Sequence, residues 1–149
     1  MQRPLTVLMA DDDEEDRMLV REAWEECLLA NDLRFVTDGV QLLDYLHRRA
    51  EYADPADSPR PGLILLDLNM PRKDGREALA EIKEDPELRK IPIVVLTSSA
   101  AEEDILRSYD LGVSSYCTKP VTFDRLVELM RNLRHYWFEI VELPPDEEQ

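Results

Sequence analysis

Cysteine and long apolar runs are scarce in this chain of 149 residues. Its two cysteines are too few for a disulfide framework, and we expect both thiols to be buried. Apolar runs span only a few residues, as at 63–66, whereas a membrane-spanning helix needs about 20. The amino terminus leads straight into a strand-like run without a signal-peptide pattern. These absences predict a soluble, cytoplasmic protein without a membrane segment.

Positive charge and glycine are also in short supply. The chain has 18 lysines and arginines against 33 aspartates and glutamates, a formal net charge of −15. Phosphate groups would repel such a protein, so we expect no nucleic-acid partner and no anionic membrane surface. With only four glycines, the chain has no glycine-rich phosphate loop. Its hydrophobic fraction of 44% nevertheless suffices for the core of one domain.

Short apolar runs alternate five times with longer amphipathic stretches. Continuous aliphatic runs are typical of strands covered on both faces, and the amphipathic stretches have helical spacing. This alternation predicts an α/β fold, a doubly wound five-stranded parallel sheet with helices on both faces. Residues 53–61, with three prolines, are predicted to lack regular structure, and 142–149 to form an acidic tail. The predicted strands are 5–10, 33–37, 63–66, 91–96 and 114–118, and the predicted helices are 14–30, 40–52, 76–84, 101–111 and 122–138.

Polar residues follow four of the predicted strands, at the edge of the sheet where ligands bind in folds of this class. An acidic run, 11–16, follows the first strand, and Asp67 follows the third. Thr97 follows the fourth strand and Lys119 the fifth. Oxygen ligands such as those of Asp11 and Asp12 suit Mg²⁺, which would relieve the repulsion between them. An aspartate beside Mg²⁺ can attack phosphorus and form an acyl phosphate.

Each of these residues also has an ordinary structural interpretation. The acidic run could favour a helix amino terminus, which accounts for Glu14, Glu15 and Asp16 but not for carboxylates at the strand end. Asp67 could cap the next loop, and Lys119 could be a solvated surface charge. The proline after Lys119 raises the chance of a cis peptide bond.

Four motifs in order resemble the receiver domains of two-component response regulators: LTVLMADDDEED, LILLDLNMPRKDG, IPIVVLTSSA and SSYCTKP. The resemblance covers roughly residues 5–135 and implies the flavodoxin-like receiver fold with strand order 2-1-3-4-5. It makes Asp67 the phosphoacceptor and Asn69 a metal ligand through its backbone carbonyl, beside Asp11 and Asp12; glutamate is frequent at the position of Asp11. The phosphate-binding and switch residues it implies are Thr97, Ser98, Lys119 and Tyr116.

A finer resemblance is to single-domain regulators partnered with bacterial phytochromes. It rests on the long segment before the third strand, on MPRKDGREALAEIKEDPELRKIP and EEDILRSYDLG, and on the ending RNLRHYWFEIVELP. It implies a sensor histidine kinase, a bacteriophytochrome, as partner. We expect a receiver domain at 1–141 and no output domain. Family members commonly dimerise through the fourth helix, fifth strand and fifth helix, so we expect a homodimer with Tyr109, Trp137 and Phe138 at its interface.

Two other functions compete with a signalling receiver. An aspartate-nucleophile phosphatase would use a D-x-D motif after the first strand, which the sequence 11–13 supplies formally. A flavodoxin-like binding module would need no phosphorylation. The spacing of Asp67, Thr97 and Lys119 favours the receiver, which we expect to be no enzyme beyond supporting its own Mg²⁺-dependent phosphorylation and dephosphorylation.

Overall fold

Five parallel strands form one sheet in the computed structural model, which describes residues 6–27 and 32–135. Counted along the chain, the strands lie in the order 2-1-3-4-5, as the resemblance implied. The central three strands carry unbroken aliphatic runs and are buried on both faces, whereas the two edge strands are mostly half-buried. The strands are β1 (Thr6–Ala10), β2 (Asp32–Val36), β3 (Leu63–Leu66), β4 (Ile93–Thr97) and β5 (Ser115–Thr118).

Each strand is followed by a helix, so the predicted βα alternation is confirmed. The second helix is shorter than predicted because Arg48 adopts a left-handed φ of 54°, which ends it. The prediction that 53–61 lacks regular structure is wrong for Pro55–Asp57, which form a 3₁₀ turn. Proline is tolerated there because it lies at the start of the turn. The helices are α1 (Glu14–Glu26), α2 (Gly39–His47), α3 (Gly75–Glu84), α4 (Glu102–Asp110) and α5 (Phe123–His135).

Alternate side chains of the strands feed two separate cores. Val7 and Met9 point to the face covered by α1 and α5, whereas Leu8 and Ala10 point to the face covered by α2 and α3. Cys27 is buried in the first of these cores, but Cys117 is only half-buried. The expectation of two buried thiols was therefore wrong for Cys117, because it lies on the edge strand β5. In 6–27 and 32–135, no helix has the length and apolar character to span a membrane.

Candidate functional site

The site lies where β1, β3, β4 and β5 end at one edge of the sheet. Parallel register places Ala10 beside Leu66 and Thr97 beside Thr118, so the residues that follow β1, β3 and β5 emerge close together. Backbone hydrogen bonds continue past the strands: the N–H of Asp67 donates to Ala10 at 3.0 Å, and that of Lys119 donates to Thr97 at 2.7 Å. The backbone therefore fixes where each polar side chain begins.

Three carboxylates converge at this edge. One oxygen from each of Asp11, Asp12 and Asp67 lies within 4.8 Å of the others. Asp11 and Asp67 are buried, and Asp12 is exposed. Burial raises the pKa of Asp11, and the nearby negative charge of Asp67 adds to that effect against the opposing influence of Lys119. Three carboxylates at this spacing form a site that could hold a divalent cation.

Lys119 is the cation that faces these carboxylates. Its Nζ lies 2.7 Å from Asp11, 2.8 Å from Asp16 and 3.4 Å from Asp67. Burial alone would lower the pKa of the ammonium, but the hydrogen bonds to Asp11 and Asp16 outweigh it and raise the pKa. The ammonium is therefore charged at neutral pH. The Lys119–Pro120 peptide bond is cis.

The side chain of Thr97 completes the surroundings of Asp67. Its hydroxyl is fully buried and donates to Asp67 Oδ1 at 2.7 Å. The backbone N–H of Asn69 donates to the same oxygen at 3.1 Å. The Asn69 side-chain amide donates to the hydroxyl of Ser98 at 3.1 Å, so these two residues meet at the mouth of the site.

Tyr116 reaches the site from β5. Its hydroxyl donates to the backbone carbonyl of Ser99 at 2.8 Å, and its ring packs partly buried against the core on the α2 and α3 face. Since Ser99 is two residues beyond Thr97, this hydrogen bond joins the edge strand to the segment that carries the buried hydroxyl. A displacement of either β5 or the segment at Ser99 would therefore strain or break this hydrogen bond.

An open cleft of about 430 Å³ lies over these residues. Asp13 lines the cleft, but its carboxylate caps α1 by accepting from the N–H groups of Glu15 and Asp16. The D-x-D motif that a phosphatase would use is thus engaged at its second aspartate. The cleft is lined by Asp12, Asp13, Glu14, Asp16, Asp67, Asn69, Ser98 and Lys119.

Three residues of this region were not identified from the sequence. Asp16 was assigned only to the helix amino terminus, yet it also pairs with Lys119. The signal for it was its helical spacing, one turn beyond Asp12. Arg76 of α3 forms an ion pair with Asp104 of α4 close to Asn69, and no local pattern marks a pair 28 positions apart.

Of the three residues predicted at a dimer interface, one lies within the described residues. Tyr109 lies on α4 with 49% of its surface exposed, and its hydroxyl accepts from the backbone N–H of Tyr116 at 3.2 Å. Trp137 and Phe138 lie outside the described residues. The interface stays a prediction.

Comparison with known proteins identifies the family. The sequence model of the protein family described as the response regulator receiver domain matches residues 7–131. Response regulator Rcp1 of Synechocystis sp. is 42% identical over 141 residues, which are 95% of this chain and 94% of that protein. The Mn²⁺-bound structure of Rcp1 superimposes with a TM-score of 0.83, covering 95% of this chain and 100% of that one.

Two further solved structures are similar over almost the whole chain. The phosphorylated cyanobacterial phytochrome response regulator RcpA is 40% identical, with a TM-score of 0.85, and the match covers 96% of this chain and 100% of that one. RPA3017, from red light signalling of R. palustris, is 38% identical with a TM-score of 0.85, covering 95% and 99%. Together with the strand order and the polar residues at the strand ends, these matches show that the chain belongs to the response regulator receiver domain family of two-component signalling.

Proposed function

We propose that this receiver accepts a phosphoryl group on Asp67. The observation that supports this most is the position of its carboxylate, which lies between the Thr97 hydroxyl at 2.7 Å and the Lys119 ammonium at 3.4 Å. A carboxylate oxygen of Asp67 attacks the phosphorus of a phosphohistidine, the P–N bond breaks, and the imidazole leaves with its electron pair. The product is an acyl phosphate, and water later hydrolyses it.

The residues present also fit a divalent cation, for which we propose Mg²⁺. Asp11, Asp12 and Asp67 supply clustered carboxylates, and the resemblance adds the backbone carbonyl of Asn69. Clustered negative charge and the raised pKa of Asp11 are conditions that a bound cation relieves. When bound, the cation supplies neutralisation of charge on the phosphoryl oxygens. The Mn²⁺-bound structure of the relative Rcp1 supports a divalent cation in this family.

The other polar residues bind the new phosphoryl group and report its presence. Lys119 exchanges a carboxylate partner for a phosphoryl oxygen, and the Thr97 hydroxyl turns from Asp67 to the phosphoryl group. These charge-assisted hydrogen bonds give the difference in free energy that a two-state switch needs. Ser98 is small enough to leave the site open to phosphate. Tyr116 follows through its hydrogen bond to Ser99.

The partner that we propose is a sensor histidine kinase of the phytochrome type. The support is the similarity to RcpA, a phytochrome response regulator, and to RPA3017, a regulator in red light signalling. Light sensing would then reside in the partner. We further propose a cytoplasmic homodimer that binds no nucleic acid; the net charge of −15 opposes a nucleic-acid surface.

Phosphorylation by a small donor tests the assignment directly. The protein is incubated with acetyl phosphate and Mg²⁺ and followed by intact mass. We expect the wild type to gain one phosphoryl group, Asp67→Asn to gain none, and a chelator to prevent the reaction. Equal labelling of Asp67→Asn would refute the site. Steady turnover of a generic phosphomonoester would favour the phosphatase instead, and phosphotransfer from a phytochrome kinase tests the partner.

A further inference from the structure

We propose that Arg76 and Asp104 are positioning residues for phosphorylation, which hold the two loops at the mouth of the site around Asp67. The proposal rests on the proposed function of Asp67 as phosphoacceptor. We call this ion pair the Arg76–Asp104 bridge. It joins the first turn of α3 to the first turn of α4, and neither residue needs to touch the phosphoryl group to affect its transfer.

The bridge has the geometry of a strong ion pair. Arg76 Nε donates to Asp104 Oδ1 at 2.8 Å, and its second terminal nitrogen donates to Oδ2 at 2.7 Å. This bidentate arrangement fixes orientation as well as distance. Only 12% of the Asp104 side chain is exposed. The Arg76 hydrogen bonds, with help from the hydroxyl of Ser99, lower the pKa of Asp104 to about 2, so the bridge stays charged at neutral pH.

One arm of contacts runs from Arg76 to the phosphoacceptor. A terminal nitrogen of Arg76 donates to the side-chain oxygen of Asn69 at 3.2 Å. Asn69 in turn donates its backbone N–H to Asp67 at 3.1 Å and its side-chain amide to Ser98 at 3.1 Å. Arg76 therefore fixes the rotamer of a residue that touches the phosphoacceptor through its backbone.

A second arm runs from Asp104 to the same aspartate. The hydroxyl of Ser99 donates to Asp104 at 2.6 Å. The backbone N–H of Ser99 donates to the Thr97 hydroxyl oxygen at 3.4 Å, and this hydroxyl donates to Asp67 at 2.7 Å. The Tyr116 hydroxyl binds the carbonyl of Ser99, so the switch aromatic shares this arm.

The two arms and the bridge close a ring of hydrogen bonds that begins and ends at Asp67. Opening the ring at the bridge removes the common anchor of Asn69 and Ser99 while leaving Asp67, Lys119 and the metal carboxylates intact. The competent arrangement then becomes less populated, and the apparent affinity for a phosphoryl group falls by the same fraction. Affinity for Mg²⁺ alone changes much less, because the carboxylates of Asp11, Asp12 and Asp67 make no contact with the bridge, and Asn69 contacts Arg76 through its side chain rather than through the backbone carbonyl proposed to bind the cation.

The experiment compares Arg76→Gln, Asp104→Asn and the double variant. The readouts are the rate of acetyl phosphate labelling at saturating Mg²⁺, the affinity for beryllofluoride as a phosphoryl mimic, and the affinity for Mg²⁺ alone. We expect each single variant to lose roughly tenfold in labelling rate and in beryllofluoride affinity, the scale of a lost charge-assisted hydrogen bond. The double variant should lose little more, and Mg²⁺ affinity should fall by much less than the labelling rate.

Glu81→Gln is the matched control. It breaks the 2.5 Å ion pair with Lys73, which involves the same helix α3 but not the site mouth. It should label like the wild type. Arg76→Lys keeps the charge but loses the bidentate geometry, so its labelling rate should fall between those of the wild type and Arg76→Gln. It replaces the neutral variants in the comparison if either of them fails to fold.

Wild-type labelling rates in the folded bridge variants would overturn the proposal, as would additive losses in the double variant or an equal loss in Glu81→Gln. Failure of the proposed function looks different. In that case the wild type itself gains no phosphoryl group, or Asp67→Asn gains one.

Discussion

Gly75 is the position where a single methyl group should displace the proposed phosphoacceptor, Asp67. This glycine begins α3, and its backbone N–H donates to the carbonyl of Leu68 at 2.9 Å. A Cβ there would lie 2.2 Å from the carbonyl oxygen of Asp67 and 2.6 Å from the Cα of Leu68. Ordinary contact begins at 3.4 Å, and the obstructing atoms are backbone, which cannot rotate away. Gly75→Ala must therefore push the end of β3 and the start of α3 apart by about 1 Å.

We expect this overpacking to cost about 2 kcal/mol, which is a fall of ~4–8 °C in melting temperature for a domain of this size. The larger effect should be on chemistry, because a displacement of about 1 Å at a reacting group can reduce a rate on the order of a hundredfold. The assay is the initial rate of acetyl phosphate labelling at saturating Mg²⁺, with thermal unfolding measured in parallel.

Gly112→Ala is the control for stability. Gly112 has a φ of 93°, so alanine is strained there by about 1–2 kcal/mol, but no atom lies within 4 Å of its Cβ. This variant should melt lower and label at the wild-type rate. If Gly75→Ala labels normally, or if Gly112→Ala loses as much rate, the displacement argument is wrong.

Two further predictions concern the charged groups of the site. Lys119→Met leaves the buried carboxylates of Asp11 and Asp67 without their ammonium partner, so urea unfolding in a chelator should show a free energy of unfolding lower by about 3 kcal/mol. Mg²⁺ should stabilise this variant more than it stabilises the wild type, and equal stabilisation would contradict the role of Lys119. The lowered pKa of Asp104, about 2, stabilises the fold above its ordinary value of 3.8, and this contribution is lost as pH falls through the folded pKa. The difference in unfolding free energy between wild type and Asp104→Asn should thus be constant from pH 5 to 8 and shrink below about pH 4; a difference that grows on acidification would refute it.

The sequence predicted the strand ends well because parallel strands obey a simple rule. Aliphatic runs locate the strands, and the polar residues directly after them must meet at one edge of the sheet. Asp67 and Lys119 lie together for this reason, and Thr97, the last residue of β4, lies beside them. The end of α2 was harder, because the left-handed turn at Arg48 has no glycine to announce it.

Side-chain pairings between helices escaped prediction altogether. Arg76 and Asp104 are charged residues of the kind expected on the exposed face of an amphipathic helix. No sequence pattern near either residue indicates that α3 and α4 begin side by side. The helix dipole was a sufficient explanation for Asp16, so the sequence provided no reason to predict its ion pair with Lys119. Such contacts depend on how α1, α3 and α4 pack on the finished sheet.

The half-burial of β5 has a consequence for the order in which the fold can open. The strand pairs with β4 alone in the sheet, and its residues are half-buried or exposed, whereas every residue of β3 and β4 is buried. Local opening costs least where few apolar contacts are lost, so the amides of Ser115–Thr118 should exchange with solvent well before those of Leu63–Leu66. The proposed switch residue Tyr116 can therefore change position while the buried strand that precedes Asp67 stays folded, so the proposed switch does not require the whole domain to open.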